Sequence, residues 1–255
     1  MTSTTVAAML AVALLANFGV SGITRMCSKR RVRGVTKRNV LSFSPRLVGG
    51  RGPPGGSPLF GLFWTTIYAL VFGSVFVFAF VECTPDLETS GILMAVALLL
   101  AACWQPIFII ELPWSFATSA VILFVVMVVA IASAAIADPF RSIDNVWYLY
   151  IFGLGATILA GWASVATVIA IGLTIRVYSR GINARITKGE RSLLPLLLAI
   201  VLCVLAIALA NPLLCGPLII ASCFMPGILS DWRVYSTFLV ACLGYGLALM
   251  RLWVG

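Results

Sequence analysis

The chain has 255 residues, of which 62% are hydrophobic and only 10% charged, a balance far outside that of soluble globular proteins. It contains no histidine, which excludes the usual zinc sites, histidine-ligated haem, histidine proton shuttles and serine–histidine triads. The net charge of +9 does not point to nucleic acid, because the basic residues gather beside apolar runs, where orientation and anionic headgroups account for them.

In chain order the apolar stretches predict eight spans, at about 5–24, 58–81, 91–110, 116–137, 148–175, 193–211, 214–229 and 235–253, each read from length and apolar content. The fold class is therefore all-α, a polytopic transmembrane helical bundle. A membrane β-barrel would show ten-residue alternation instead. The seventh stretch is short and carries Pro226, so it is read as a half-span or re-entrant piece. In the fifth, Gly153, Ala156, Ala160 and Ser164 fall near one face, suited to close helix–helix approach.

The basic residues set orientation. Nine of the 17 Lys and Arg lie between Arg25 and Arg51, and five more between Arg176 and Arg191. Each would cost about 2.5–3.5 kcal/mol at a helix centre, so both segments stay in water on the inner side. Alternation then places Glu82, Asp86 and Glu88 opposite, with the N-terminus outside. No positive charge precedes the first run and a dense cluster follows it, so that run is read as a retained span rather than a cleaved signal. The result is a multi-pass integral membrane protein, assigned to no particular membrane.

Seven cysteines lie mostly within spans and form no CxxC pair, so they are read as small apolar packing residues and no metal site is expected. All eight acidic residues stand in loops or at span ends, which argues against an ion-coupled pump or a di-iron carboxylate enzyme. Glu111, seven residues beyond Trp104, is an interfacial charge or a group at a pocket mouth.

Three aromatic segments stand out. In "FGLFWTTIY", Phe60, Trp64 and Tyr68 recur at i, i+4 and i+8, a single stripe on a helix. In "CWQPIFII", Trp104 and Phe108 share a face, and Pro106 is expected to kink the helix. In "GWASVATVIAIGL", Trp162, Ala166, Ala170 and Leu173 line one face. Tryptophan within a span is unusual, since its indole N–H prefers the interface. These stripes are either packing or the walls of a shared aromatic cavity.

Together these motifs resemble the TspO/MBR family, the translocator or tryptophan-rich sensory proteins. "FGLFWTTIY" matches F-G-x-x-W-T-x-x-Y, and "PPGGSPLFG" is similar to the family's PPGW-FG entry with two extra residues. "WQPIF" (Trp104 to Phe108) resembles W-[SP]-P-[IL]-F, and "WASVAT" (Trp162 to Thr167) resembles W-x-[SA]-F-A-T. The likeness covers about residues 1–175, a five-helix core with the basic loop 25–57, and leaves 193–255 as a C-terminal membrane extension. The chain departs from the pattern at Ala101, Ile158-Leu159 and Ala170, where the family carries Asn, Pro-Tyr and Asn.

The resemblance implies a cavity for flat apolar ligands, namely tetrapyrroles, sterols or related lipids. Its lining would include Phe60, Trp64, Tyr68, Trp104, Phe108, Trp162 and Ala166, with loop 25–57 as lid. No cofactor is obligatory, and a porphyrin or haem is the candidate ligand. In "LTIRVYSR", Leu173, Tyr178 and Arg180 fit a pattern proposed for cholesterol contact, though an aromatic and basic anchor at a span end explains the same residues. The expected partners are the bilayer, a small apolar ligand, and a second copy or larger membrane complex, with no nucleic acid. The role is sensor, receptor or transport accessory. The alternative is a structural accessory subunit, and the remaining enzyme reading is a pocket that degrades its tetrapyrrole; no residues are singled out as catalytic.

Overall fold

The computed structural model describes residues 2–31, 58–108, 110, 112–137, 147–180, 188–216, 219 and 232–254. Helices are α1 (Ser3–Arg31), α2 (Pro58–Phe80), α3 (Pro85–Phe108), α4 (Pro113–Ile136), α5 (Trp147–Arg180), α6 (Lys188–Ala208) and α7 (Trp232–Val254), with a 3₁₀ turn at Pro212–Cys215. Among the described residues there is no strand, and the all-α polytopic reading holds. Among the described residues five helices are long and apolar enough to cross a membrane, namely α1, α3, α4, α5 and α7, while α2 and α6 carry shorter apolar stretches. The predicted span 214–229 falls mostly outside the described residues, as does the lid loop 25–57, whose first residues to Arg31 continue α1.

Helix bounds follow local chemistry. Pro85 opens α3 with Asp86 and Glu88 in its first turn, and the Leu87 N–H donates to Thr84 Oγ1 at 3.4 Å. Proline at the first position and acids near the helix N-terminus suit the free N–H groups there. At the start of α4 the Leu112 N–H donates to Ser115 Oγ at 3.0 Å, and Pro113 again takes the first position. α1 and α5 run further than the predicted spans, to Arg31 and Arg180. Their apolar segments nucleate the helix, and terminal Lys and Arg are compatible with its negative C-terminal end.

The first five helices close a ring. α1 packs between α2 and α3, α3 on α4, α4 on α5, and α5 back on α2. Polar contacts fix the seams. Ser3 Oγ donates to Glu88 Oε1 at 2.8 Å, and the Cys83 N–H donates to Ser3 Oγ at 3.1 Å. Lower down, Asn17 Nδ2 donates to the Leu98 carbonyl at 2.7 Å and Ser21 Oγ to Gln105 Oε1 at 2.6 Å. α1 and α3 are therefore parallel, and the start of α1 stands at the acidic α2–α3 turn. In that turn burial pushes the Cys83 thiol up, a Ser3 hydrogen bond opposes this, and the Glu88 carboxylate adds to it. Between α3 and α4, Ser90 and Ser133 exchange hydrogen bonds, Oγ to carbonyl, at 2.7 and 2.9 Å, an antiparallel junction of small polar residues.

Small residues allow the close approaches. Gly153, Ala156, Ala160 and Ser164 are all buried along α5, as their spacing predicts. A Cβ at Gly91 would lie 2.4 Å from Val6 Cγ1 and 2.8 Å from Phe78 Cζ, so three helices meet there with no room for a side chain. The main core, with Leu10, Phe78, Met94, Phe152 and Leu159, fills the ring from the acidic end.

α6 and α7 pack on each other outside this ring, and α6 reaches it through α5. A Cβ at Gly244 would lie 2.8 Å from Cys203 Cα, and Arg251 Nη1 donates to the Ile207 and Ala208 carbonyls. The two helices thus run parallel, and the guanidinium covers carbonyls in the last turn of α6. α6 ends on Ala210 at φ 50°, with the Asn211 N–H donating to the Ala206 carbonyl at 2.9 Å and the Ala210 N–H to Ile207 at 3.2 Å. This is a Schellman end with alanine where glycine is the unstrained choice.

Candidate functional site

Among the described residues the main core does not extend to the basic end of the ring. There two small buried clusters stand apart from it, and Trp104 joins both. One holds Phe108, Phe116 and Val177; the other holds Ala120, Leu123 and Ala170, with Ala166 packed against it. α3, α4 and α5 each contribute. The Trp104 and Phe108 ring centroids lie 5.2 Å apart and tilted by 39°, and Phe108 meets Phe116 edge-to-face at 5.6 Å. Such geometry suits the aromatic quadrupole.

Of the residues predicted from sequence, Trp104, Phe108 and Ala166 come together. Trp104 stands one turn from the end of α3 rather than in mid-span, and the helix continues past Pro106 to Phe108. Trp162 lies one turn along α5 from Ala166 but packs against the main core. Tyr68 also packs against that core, and its ring meets Phe18 of α1 at 4.6 Å. The i+4 series then continues through Phe72, Phe76 and Phe80, all exposed, because four-residue steps drift around a helix of 3.6 residues per turn. Phe60 and Trp64 are helical in backbone, and their side chains, like those of Leu173 and Arg180, lie outside the described residues. Tyr178 is 62% exposed on the outer surface of α5.

Sequence reading missed Phe116, Ala120, Leu123 and Val177, whose apolar types match any span. It also passed over two polar residues that carried a signal. Asn17 and Ser119 are both fully buried, and a polar side chain inside a span calls for a partner. Three buried side-chain polar atoms have no hydrogen-bond partner among the described residues: Trp104 Nε1, Ser119 Oγ and Asn17 Oδ1. An interfacial tryptophan would turn its N–H to water; this N–H is buried.

Among the described residues no three of the His, Cys, Asp and Glu side chains gather in a way that could hold a metal ion. The chemistry available at Trp104 is therefore that of aromatic faces, small neighbours and unengaged hydrogen-bond donors. Comparison with family models, with curated proteins and with solved structures finds no match to this chain.

Proposed function

We propose that this integral membrane protein binds a flat apolar ligand, a tetrapyrrole, sterol or related lipid, between α3, α4 and α5. In this reading it serves as a sensor, receptor or transport accessory of the TspO/MBR type. One observation carries it: the Trp104 indole bridges two buried clusters detached from the main core and keeps its N–H buried and unengaged. Packing alone would orient a tryptophan to satisfy that group. The closed five-helix order and the small residues facing Trp104 lend further support, since a flat molecule needs an aromatic face opposed by short side chains.

Porphyrin titration of the full chain in mild detergent tests it. Protoporphyrin IX quenches tryptophan fluorescence saturably, and Trp104→Leu weakens binding by about 1–2 kcal/mol, because stacking is lost while apolar area is largely kept. Trp253, 90% exposed on α7, is the control, and Trp253→Leu leaves affinity unchanged. If Trp104→Leu and Trp253→Leu bind like the native chain, the aromatic contacts are packing and the chain is a structural subunit.

A further inference from the structure

We infer that Trp104 Nε1 and Ser119 Oγ form a two-point hydrogen-bonding subsite for one oxygen of the bound ligand, a carbonyl or carboxylate. The inference rests on the ligand-binding reading above. Its starting point is the Ser90–Ser133 junction, where α3 and α4 run antiparallel. Trp104 lies 14 residues beyond Ser90 and Ser119 lies 14 residues before Ser133. At 1.5 Å per residue both have travelled about 21 Å along the bundle, so the two unengaged groups stand at one level on facing helices.

Ser119 differs from several other helical hydroxyls of the ring. Ser74, Thr89, Ser164, Thr167 and Thr174 each donate to the carbonyl four residues back, at 2.7–2.9 Å. That local bond is open to any helical serine. Ser119 does not make it and is buried nonetheless. Nor does it pair with Trp104, although their helices are in contact. Asn17 Oδ1, the third unengaged atom, is an acceptor, and its amide is held by the Ala13 and Leu98 carbonyls.

The chemistry selects the ligand atom. The indole N–H only donates, and the hydroxyl donates most readily where no local acceptor is used. Two donors at one level are satisfied by one oxygen with two lone pairs. An ammonium or amide N–H would leave the indole unpaired. Position agrees, since Trp104 lies one turn from the end of α3, at the end where the basic helix termini of α1 and α5 emerge.

The test measures affinities of the full chain, native and Ser119→Ala, for three porphyrins. Protoporphyrin IX carries carboxylates, its dimethyl ester carries neutral carbonyls, and etioporphyrin I carries no oxygen. Ser119→Ala weakens binding of an oxygen-bearing porphyrin about five- to tenfold, the worth of one such hydrogen bond, and leaves etioporphyrin unchanged. Loss with the free acid alone identifies a carboxylate; loss with acid and ester identifies a carbonyl. Equal effects on all three, or none on any, overturn the subsite while leaving ligand binding intact. Failure of the native chain to bind any porphyrin overturns the ligand-binding reading itself. A second readout needs no variant at Ser119: the ¹⁵N-indole signal of Trp104, assigned by its absence in Trp104→Phe. It shifts further with protoporphyrin IX than with etioporphyrin I, which acts through its ring current alone, and identical shifts with both count against the subsite.

Discussion

Gly91 makes the closest approach of the described glycines, and Gly91→Ala reads it quantitatively. An added Cβ would lie 2.4 Å from Val6 Cγ1 and 2.8 Å from Phe78 Cζ. Val6 and Phe78 are fully buried, and a β-branched side chain in a helix has essentially one rotamer, so neither can swing aside. Alanine gains about 1 kcal/mol of helix propensity over glycine, while overpacking costs about 1–3 kcal/mol. The expected net loss is about 1 kcal/mol. Val6→Ala alone costs about 1–2 kcal/mol through the methyl space it vacates, but it removes the atom that the new methyl group would strike. The double variant is therefore more stable than the summed singles by about 1–2 kcal/mol, though short of native because the Phe78 contact persists. Equilibrium unfolding in mixed micelles by SDS titration measures all four proteins. Additivity within about 0.5 kcal/mol, or Gly91→Ala matching its full propensity gain, would refute the packing of α1 on α3 at this level.

Three further outcomes follow from single contacts. Ser90→Ala and Ser133→Ala should couple by about 0.5–1.5 kcal/mol in the same assay, the range for hydrogen bonds between membrane helices; no coupling would remove the α3–α4 register. Ala210→Gly should stabilise by about 1 kcal/mol, since alanine is strained at a positive φ that glycine adopts freely, and a loss would mean that α6 ends otherwise. Alkylation of Cys83, kept as the single cysteine, should continue to accelerate beyond about pH 10, more than a unit above the ordinary thiol pKa, where an unperturbed thiol has levelled off, because its burial raises the thiol; a plateau by that pH would contradict the buried turn.

Much of the architecture was legible in the sequence because bilayer thickness and charge cost act on composition. Apolar length located the helices, and the Lys and Arg clusters at Arg25–Arg31 and Arg176–Arg180 mark helix ends that share one end of the ring. Ring order was not legible, because it depends on contacts such as Ser90 with Ser133 that no local pattern reveals. Residue spacing brought Trp104, Phe108 and Ala166 into view, yet it could not tell that Trp162 joins the main core one turn away. The Phe60–Tyr68 stripe shows the same limit. Its four-residue period is not the helical period, so by Phe72 the series has turned to the exposed surface. Phe116 and Leu123 were hidden by sharing their residue types with every lipid-facing position.

In the proposed function a flat ligand lies beside Ala166, which with Trp104 packs against the cluster of Ala120, Leu123 and Ala170. Native mass spectrometry of the full chain with added protoporphyrin IX, compared with Ala166→Phe, decides whether it does. The substitution places a ring where the ligand would lie, and a site with free space absorbs it with little loss of folding. One porphyrin is expected per native chain and none on Ala166→Phe at equal helical content. Equal occupancy of the two proteins would contradict ligand binding at this place.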